Sequence, residues 1–172
     1  GKPPEFWQEH NIKIHELIPF MQPNYEKILK NKTEIHFFGY YKYWDPQENY
    51  YYCSENTGFT PNDERSEGTY SKYASLDDKL DEIYYYFQYL KFGFGRANQD
   101  ACIEIRRGAM DREQAVNLVN LYDGHYPENF IDIYLDYYRM NINEFNDVID
   151  SWVNEELFEK IEGFWKPKFT IK

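Results

Sequence analysis

The sequence predicts a mainly α protein. About five or more helices with short connections follow a small mixed α/β, aromatic-rich region, and a short strand or hairpin ends the chain. Three observations lead there. From residue 75 onward apolar residues recur at i, i+3, i+4 spacing. Capping residues and glycines punctuate those runs at helix-length intervals. The earlier part is different in kind: nine of the sixteen residues from Phe37 to Tyr52 are Phe, Tyr or Trp. A chain of 172 residues is long enough for one domain with a real core. It is read as a single domain over 1–172, made of an aromatic-rich region (1–74), a helical region (75–153) and a tail (154–172).

In chain order, Pro3 and Pro4 open a first helical turn over EFWQEHN. IKIHELIPFM fits either a short strand or a helix, and PNYEKILK reads as a short helix. Residues 34–43 are aromatic and fit a strand. Asp45 as N-cap and Pro46 at the first position suit a helix over PQENYYYCSEN. Residues 58–68 are loop, given Gly, Pro, Asn, Asp and Ser in quick succession. Ser75 with Asp78 makes a capping pair for a long helix carrying Leu80, Ile83, Tyr84, Phe87 and Leu90, which ends near Gly93 or Gly95. NQDACIEIRR is the next helix, stopped by Gly108. Asp111 starts DREQAVNLVNLYD, ended by Gly124. Pro127 opens a helix reaching about Arg139, and Asn141 with Glu144 caps one bearing Phe145, Ile149 and Trp152. The tail forms a strand or hairpin around Gly163.

Charge narrows the function classes. The net charge of −11 argues against general nucleic-acid binding and against an anionic membrane surface. Its distribution is uneven: residues 65–112 hold eight basic and eight acidic residues, and the remainder holds eleven against twenty-two. An anionic ligand is therefore expected at the middle of the chain. Cys53 and Cys102 lack metal or disulfide spacing and read as reduced thiols of a cytosolic protein. The four His are scattered, so no metal site is expected. No apolar run is long enough to span a membrane. The opening GKPPEFWQEH has neither a signal core nor an initiator Met, and the chain is expected to be a fragment.

Three stretches carry candidate chemistry. Arg65–Lys72 offers a guanidinium, an ammonium, hydroxyls and a carboxylate around Gly68. It is either an anion- and hydroxyl-binding loop or a solvated loop whose hydroxyls cap turns. Lys91-Phe92-Gly93-Phe94-Gly95-Arg96 precedes a helix and is either an anion cradle or a glycine stop with dipole-complementing charges. Asp100, Glu104 and Arg107 can share a helix face, where intrahelical ion pairs are the ordinary explanation. Trp44 and Tyr41 are candidates for stacking on a sugar ring; burial against the helices is the competing explanation for such aromatics. Neither a catalytic Ser/His/Asp or Cys/His pairing nor an ATP-binding loop is evident.

The stretches WDPQENYYYC, GF-x-PN, RSEGTYSKYASLDDK, KFGFGRA, IEIRRG, DREQAVNLV and YDGHYP resemble the C-terminal half of the N-acetyl sugar amidotransferases of bacterial lipopolysaccharide and flagellin-sugar biosynthesis. The resemblance runs from about residue 35 to about residue 166. It implies a relative of the pyrophosphate-releasing ATPases that converts an acetamido group on a nucleotide-activated or acidic amino sugar into an acetamidino group. The amide oxygen is activated by adenylylation, because it is otherwise a poor leaving group. Ammonia comes from a glutaminase partner, and ATP and Mg are expected for the full-length enzyme. The ATP-binding half is not in this sequence, so the chain is expected to supply sugar contacts rather than a full turnover. On this reading Arg65, Lys72, Lys91 and Arg96 meet phosphate or carboxylate, and Glu67, Thr69 and Tyr70 hydrogen-bond hydroxyls. The catalytic residues stay unassigned, and homo-oligomerisation stays open. A helical module that docks another subunit is the rival expectation, and a non-catalytic sugar-binding module is a third.

Overall fold

The computed structural model describes residues 2–172 and holds nine α-helices and one hairpin among them. The chain separates into two compact units, one ending at Trp44 and the other running Asp45–Lys172.

The first unit consists of short helices: α1 (Pro4–Gln8), α2 (Ile14–Leu17) and α3 (Tyr25–Lys30), with 3-10 turns at Ile18–Phe20 and Phe38–Tyr40. Asn24 caps α3 by accepting the Lys27 N–H at 3.2 Å. The strand expected over 34–43 is not formed; a 3-10 turn at Phe38–Tyr40 stands there. A strand needs a partner for its backbone groups, and the first unit contains no other strand among the described residues. Its aromatics are largely exposed, Tyr41 and Trp44 included.

The second unit carries α4 (Pro46–Asn56), α5 (Asp81–Phe92), α6 (Arg96–Arg106), α7 (Arg112–Tyr122), α8 (Ile131–Tyr138) and α9 (Ile142–Trp152), then β1 (Phe158–Ile161) and β2 (Phe164–Pro167). The capping chemistry legible in the sequence is present at α4, where Asp45 accepts the N–H groups of Gln47 and Glu48. Asp111 with Gln114 and Asn141 with Glu144 form reciprocal capping boxes on α7 and α9. α5 starts later than Ser75 predicts. Ser75 takes a positive φ, the Asp78 carboxylate accepts from the Leu80 N–H, and the helix begins at Asp81. α8 likewise begins four residues after Pro127.

One core joins α5, α8, α9 and β1 through Ile83, Tyr89, Leu90, Tyr134, Phe145, Ile149 and Phe158. The Tyr134 hydroxyl is sealed inside and donates to the Lys79 carbonyl at 2.8 Å, satisfying both groups. A smaller cluster of Ala101, Ala115 and Val119 holds α6 against α7, where small side chains let the helices approach closely. β1 and β2 pair antiparallel, Phe158 opposite Pro167 and Ile161 opposite Phe164, across the turn at Gly163.

Candidate functional site: an arginine pocket beside the start of α6

The most informative local structure is the junction between α5 and α6. The first N–H groups of a helix have no intrahelical acceptors and draw negative charge. Here that role is filled from within the chain. Asp123, at the end of α7, accepts the Gly95 N–H at 2.8 Å and the Ala97 N–H at 3.0 Å, and Ala97 also donates to the Gly68 carbonyl at 2.9 Å. Burial pushes the Asp123 carboxyl up to about 6, even though the Gly95, Asn98 and Ala97 N–H groups oppose the shift. A Cβ on Gly95 would lie 2.7 Å from Asp123 Oδ1, so only glycine lets the carboxylate in. On the next residue, Gly124, a Cβ would fall 2.2 Å from the Tyr89 ring. The stretch 91–96, read as either an anion cradle or a glycine stop, ends α5 at Gly93 in the left-handed conformation, and its Gly95 N–H is taken by the protein's own carboxylate.

α6 then presents Arg96, which is only 8% exposed. Its Nη1 donates to Ser75 Oγ at 2.9 Å, its Nε lies 3.4 Å from Asp100 Oδ1, and the guanidinium stacks 4.5 Å from the centre of the Tyr85 ring. Asp100 is fixed in turn by the Thr69 hydroxyl, which donates to Oδ2 at 2.6 Å. Burial raises the Asp100 pKa, with Thr69 and Arg96 working against the shift. Nη2 of Arg96 makes no hydrogen bond among the described residues.

Arg96 forms part of the wall of a pocket of about 440 Å³, together with Arg65, Glu67, Ser75, Glu82 and Tyr85. Glu82 accepts the Glu67 N–H at 3.0 Å through Oε1, while Oε2 is buried without a partner. Burial raises the Glu82 pKa. Arg65 is heavily engaged: Nη1 donates to the carbonyls of Ser66 and Thr69, Glu67 lies 3.8 Å away, and the Tyr122 ring centre is 4.9 Å from the guanidinium. His125 Nδ1 lies 3.4 Å from Arg65 Nη2.

The residues singled out by sequence therefore separate. Arg65, Glu67 and Arg96 meet at this pocket. Thr69 is buried behind it as the brace of Asp100. The Tyr70 hydroxyl is buried without a partner, and burial, reinforced by Asp100, raises its pKa. Lys72 is exposed and donates to the Asp63 carbonyl. Lys91 lies 5.0 Å from the Trp152 ring centre and lines a separate apolar groove on α5, α8 and α9. Tyr41 and Trp44 belong to the first unit. Arg107 forms the expected intrahelical pair with Glu104, and it also grips Asp45 through Nη1 at 2.7 and 2.8 Å. The Asp45 carboxyl is held low, first by the Glu48 N–H and then, against burial, by Arg107. Sequence reasoning missed Ser75, Glu82, Tyr85 and Asp123 as site residues. The one available signal was that YDGHYP places an acid directly before a glycine.

Among the described residues no group of three or more His, Cys, Asp and Glu is arranged to hold a metal ion. No helix is long and apolar enough to cross a membrane.

The fold and pocket define a class: a mainly helical domain with a charged, ligand-sized pocket at the start of an internally capped helix. The family is identified by comparison. Residues 67–170 match the family model described as "LPS biosynthesis protein WbpG-like, C-terminal domain", and the chain belongs to that family. No curated protein matches the chain. Membership places it in lipopolysaccharide biosynthesis and supports a role in sugar modification.

Proposed function

We propose that this chain is the C-terminal, substrate-binding portion of an ATP-dependent N-acetyl sugar amidotransferase, acting in the cytoplasm on a bacterial surface sugar. The observation that carries the reading is Arg96. A guanidinium oriented by Asp100, Ser75 and Tyr85, with one nitrogen left over, faces a pocket lined largely by family-matched residues, with residues 62–66 just before the match completing it. A guanidinium held in place on its other nitrogens presents the remaining one as a pre-oriented donor. An acetamido carbonyl or a ring carboxylate supplies one, and the surrounding carboxylates accept from sugar hydroxyls. The same carboxylates do not fit a nucleoside triphosphate, so ATP and its Mg ion are assigned to another portion of the enzyme and no step on this chain is routed through them. Ammonia would come from a glutaminase partner.

The test is titration of the chain with a nucleotide-activated acetamido sugar, followed by calorimetry. Saturable binding that Arg96→Lys abolishes, with a melting temperature lowered by only a few degrees, supports the reading. Lysine keeps the charge but cannot hold Ser75 and Asp100 together as a fork. Binding unchanged in Arg96→Lys overturns it.

A second reading, a subunit-docking module, rests on the apolar groove of about 750 Å³ on α5, α8 and α9, beside exposed Tyr84, Phe92 and Trp152. A stoichiometric complex with a glutaminase, without sugar binding, favours it.

A further inference from the structure

We infer that the Arg96 pocket takes the sugar end of its ligand and keeps a pyrophosphate out; the inference rests on the sugar-binding reading above. The lining settles the sign of the field. Asp63, Glu64, Glu67, Asp78, Asp81 and Glu82 contribute six carboxylates, against three cations, Arg65, Lys79 and Arg96. The cations are not equally free. Arg65 is committed to two carbonyls, Glu67 and the Tyr122 face. The Lys79 ammonium lies 5.4 Å from the Phe130 ring centre. Arg96 leaves Nη2 without a hydrogen bond among the described residues, but Asp100 lies 3.4 Å from its Nε and offsets its charge; the Lys79 ammonium, also without a hydrogen bond there, is outnumbered by the acidic residues of the lining.

A pyrophosphate carries at least two negative charges and is held where several N–H donors or cations converge. The natural place for such a convergence in this fold is the start of α6, and Asp123 already fills it. A sugar ring asks for the opposite set: acceptors for its hydroxyls, one donor for its acetamido carbonyl or carboxylate, and an apolar face for its C–H groups. The pocket offers carboxylates, the Arg96 edge and, for the C–H groups, Leu76 beside the Tyr85 and Phe130 rings, each of which also faces a cation. Glu82 extends the match, because its Oε2 is buried without a partner and stands open to a sugar hydroxyl. The volume of about 440 Å³ is near the lower end of the roughly 300–1,000 Å³ typical of small-molecule sites, which suits one ring better than a whole nucleotide sugar.

The experiment follows the Arg96 Nε–H and the backbone amides of Glu67 and Glu82 by NMR in the 15N-labelled chain. The probes are N-acetylglucosamine, UDP and UDP-N-acetylglucosamine at matched ionic strength. The inference expects N-acetylglucosamine and UDP-N-acetylglucosamine to move these signals. UDP should bind there at least about tenfold more weakly, a difference of about 1.4 kcal/mol. It also expects UDP to gain affinity in Asp78→Asn/Asp81→Asn, because the exclusion is electrostatic. If UDP moves the Arg96 signal as strongly as the sugar and competes with it, the pyrophosphate enters and the inference is overturned, while the site survives. If none of the three probes moves the pocket signals, the site reading itself fails and the inference falls with it.

Discussion

Replacing Asp123 with Asn tests the balance of forces at the start of α6. Asp123 is caught between burial, which opposes its charge, and the amides of Gly95, Ala97 and Asn98, which favour it. Burial dominates, so the carboxyl titrates at about 6 in the fold against an ordinary value of 3.8. A carboxyl with a raised pKa binds its proton more tightly folded than unfolded, so its contribution to stability is complete below about pH 4 and is lost as the pH rises through about 6. Two pH units correspond to about 3 kcal/mol at about 1.4 kcal/mol per unit. Asparagine resembles the neutral acid and does not titrate. The stability of Asp123→Asn minus that of the parent should therefore rise by up to about 3 kcal/mol between pH 4 and pH 7, equivalent to about 10 °C in melting temperature for a chain of this size. Taking the difference between the two proteins cancels the titration of Glu82, whose value is also raised by burial; Asp100 is coupled to Asp123, so the same comparison is repeated in an Asp100→Asn background. Thermal melts by circular dichroism across that pH range are the assay. A difference that instead falls as the pH rises means that the helix amides outweigh burial, and the reasoning is refuted.

Gly124→Ala should cost about 3 kcal/mol or more, because the new Cβ meets the Tyr89 ring at 2.2 Å on a backbone with φ +73°; denaturant melts will show it. Tyr134→Phe removes the hydrogen bond to the Lys79 carbonyl and should cost about 1–2 kcal/mol without changing the far-ultraviolet spectrum. Arg107→Gln should lower the melting temperature by separating Asp45 from α6, while Asp45 keeps its bonds to the Gln47 and Glu48 amides, so α4 retains its helical signal.

The helical half was legible because its signals are local. Asp45, Asp111 and Asn141 cap where their side chains predict, and each bonds within three residues of itself. Ser75 misled for a related reason: its hydroxyl accepts from Arg96, twenty-one residues away, and a tertiary partner leaves no mark on local spacing. The aromatic block over 34–43 has strand composition but lacks a neighbouring strand, and composition cannot supply one. At the site, three of the residues the sequence singled out, Arg65, Glu67 and Arg96, line one pocket. It could not show that Asp123 would reach back to occupy the glycine stretch, nor that Lys91, five residues from Arg96, would face a different surface.

The contact between the 95 and 123 positions also bears on how this chain can vary. Gly95 admits Asp123, Asp123 closes the start of α6, and Gly124 gives the Tyr89 ring room to lie beside them. A methyl group on either glycine strikes an atom of the same assembly. Among natural relatives these four positions should therefore drift together or not at all: a chain with a larger residue at 95 should also have given up the acid at 123, and the spacing between the two loops, rather than the identity of any one residue, is what inheritance preserves.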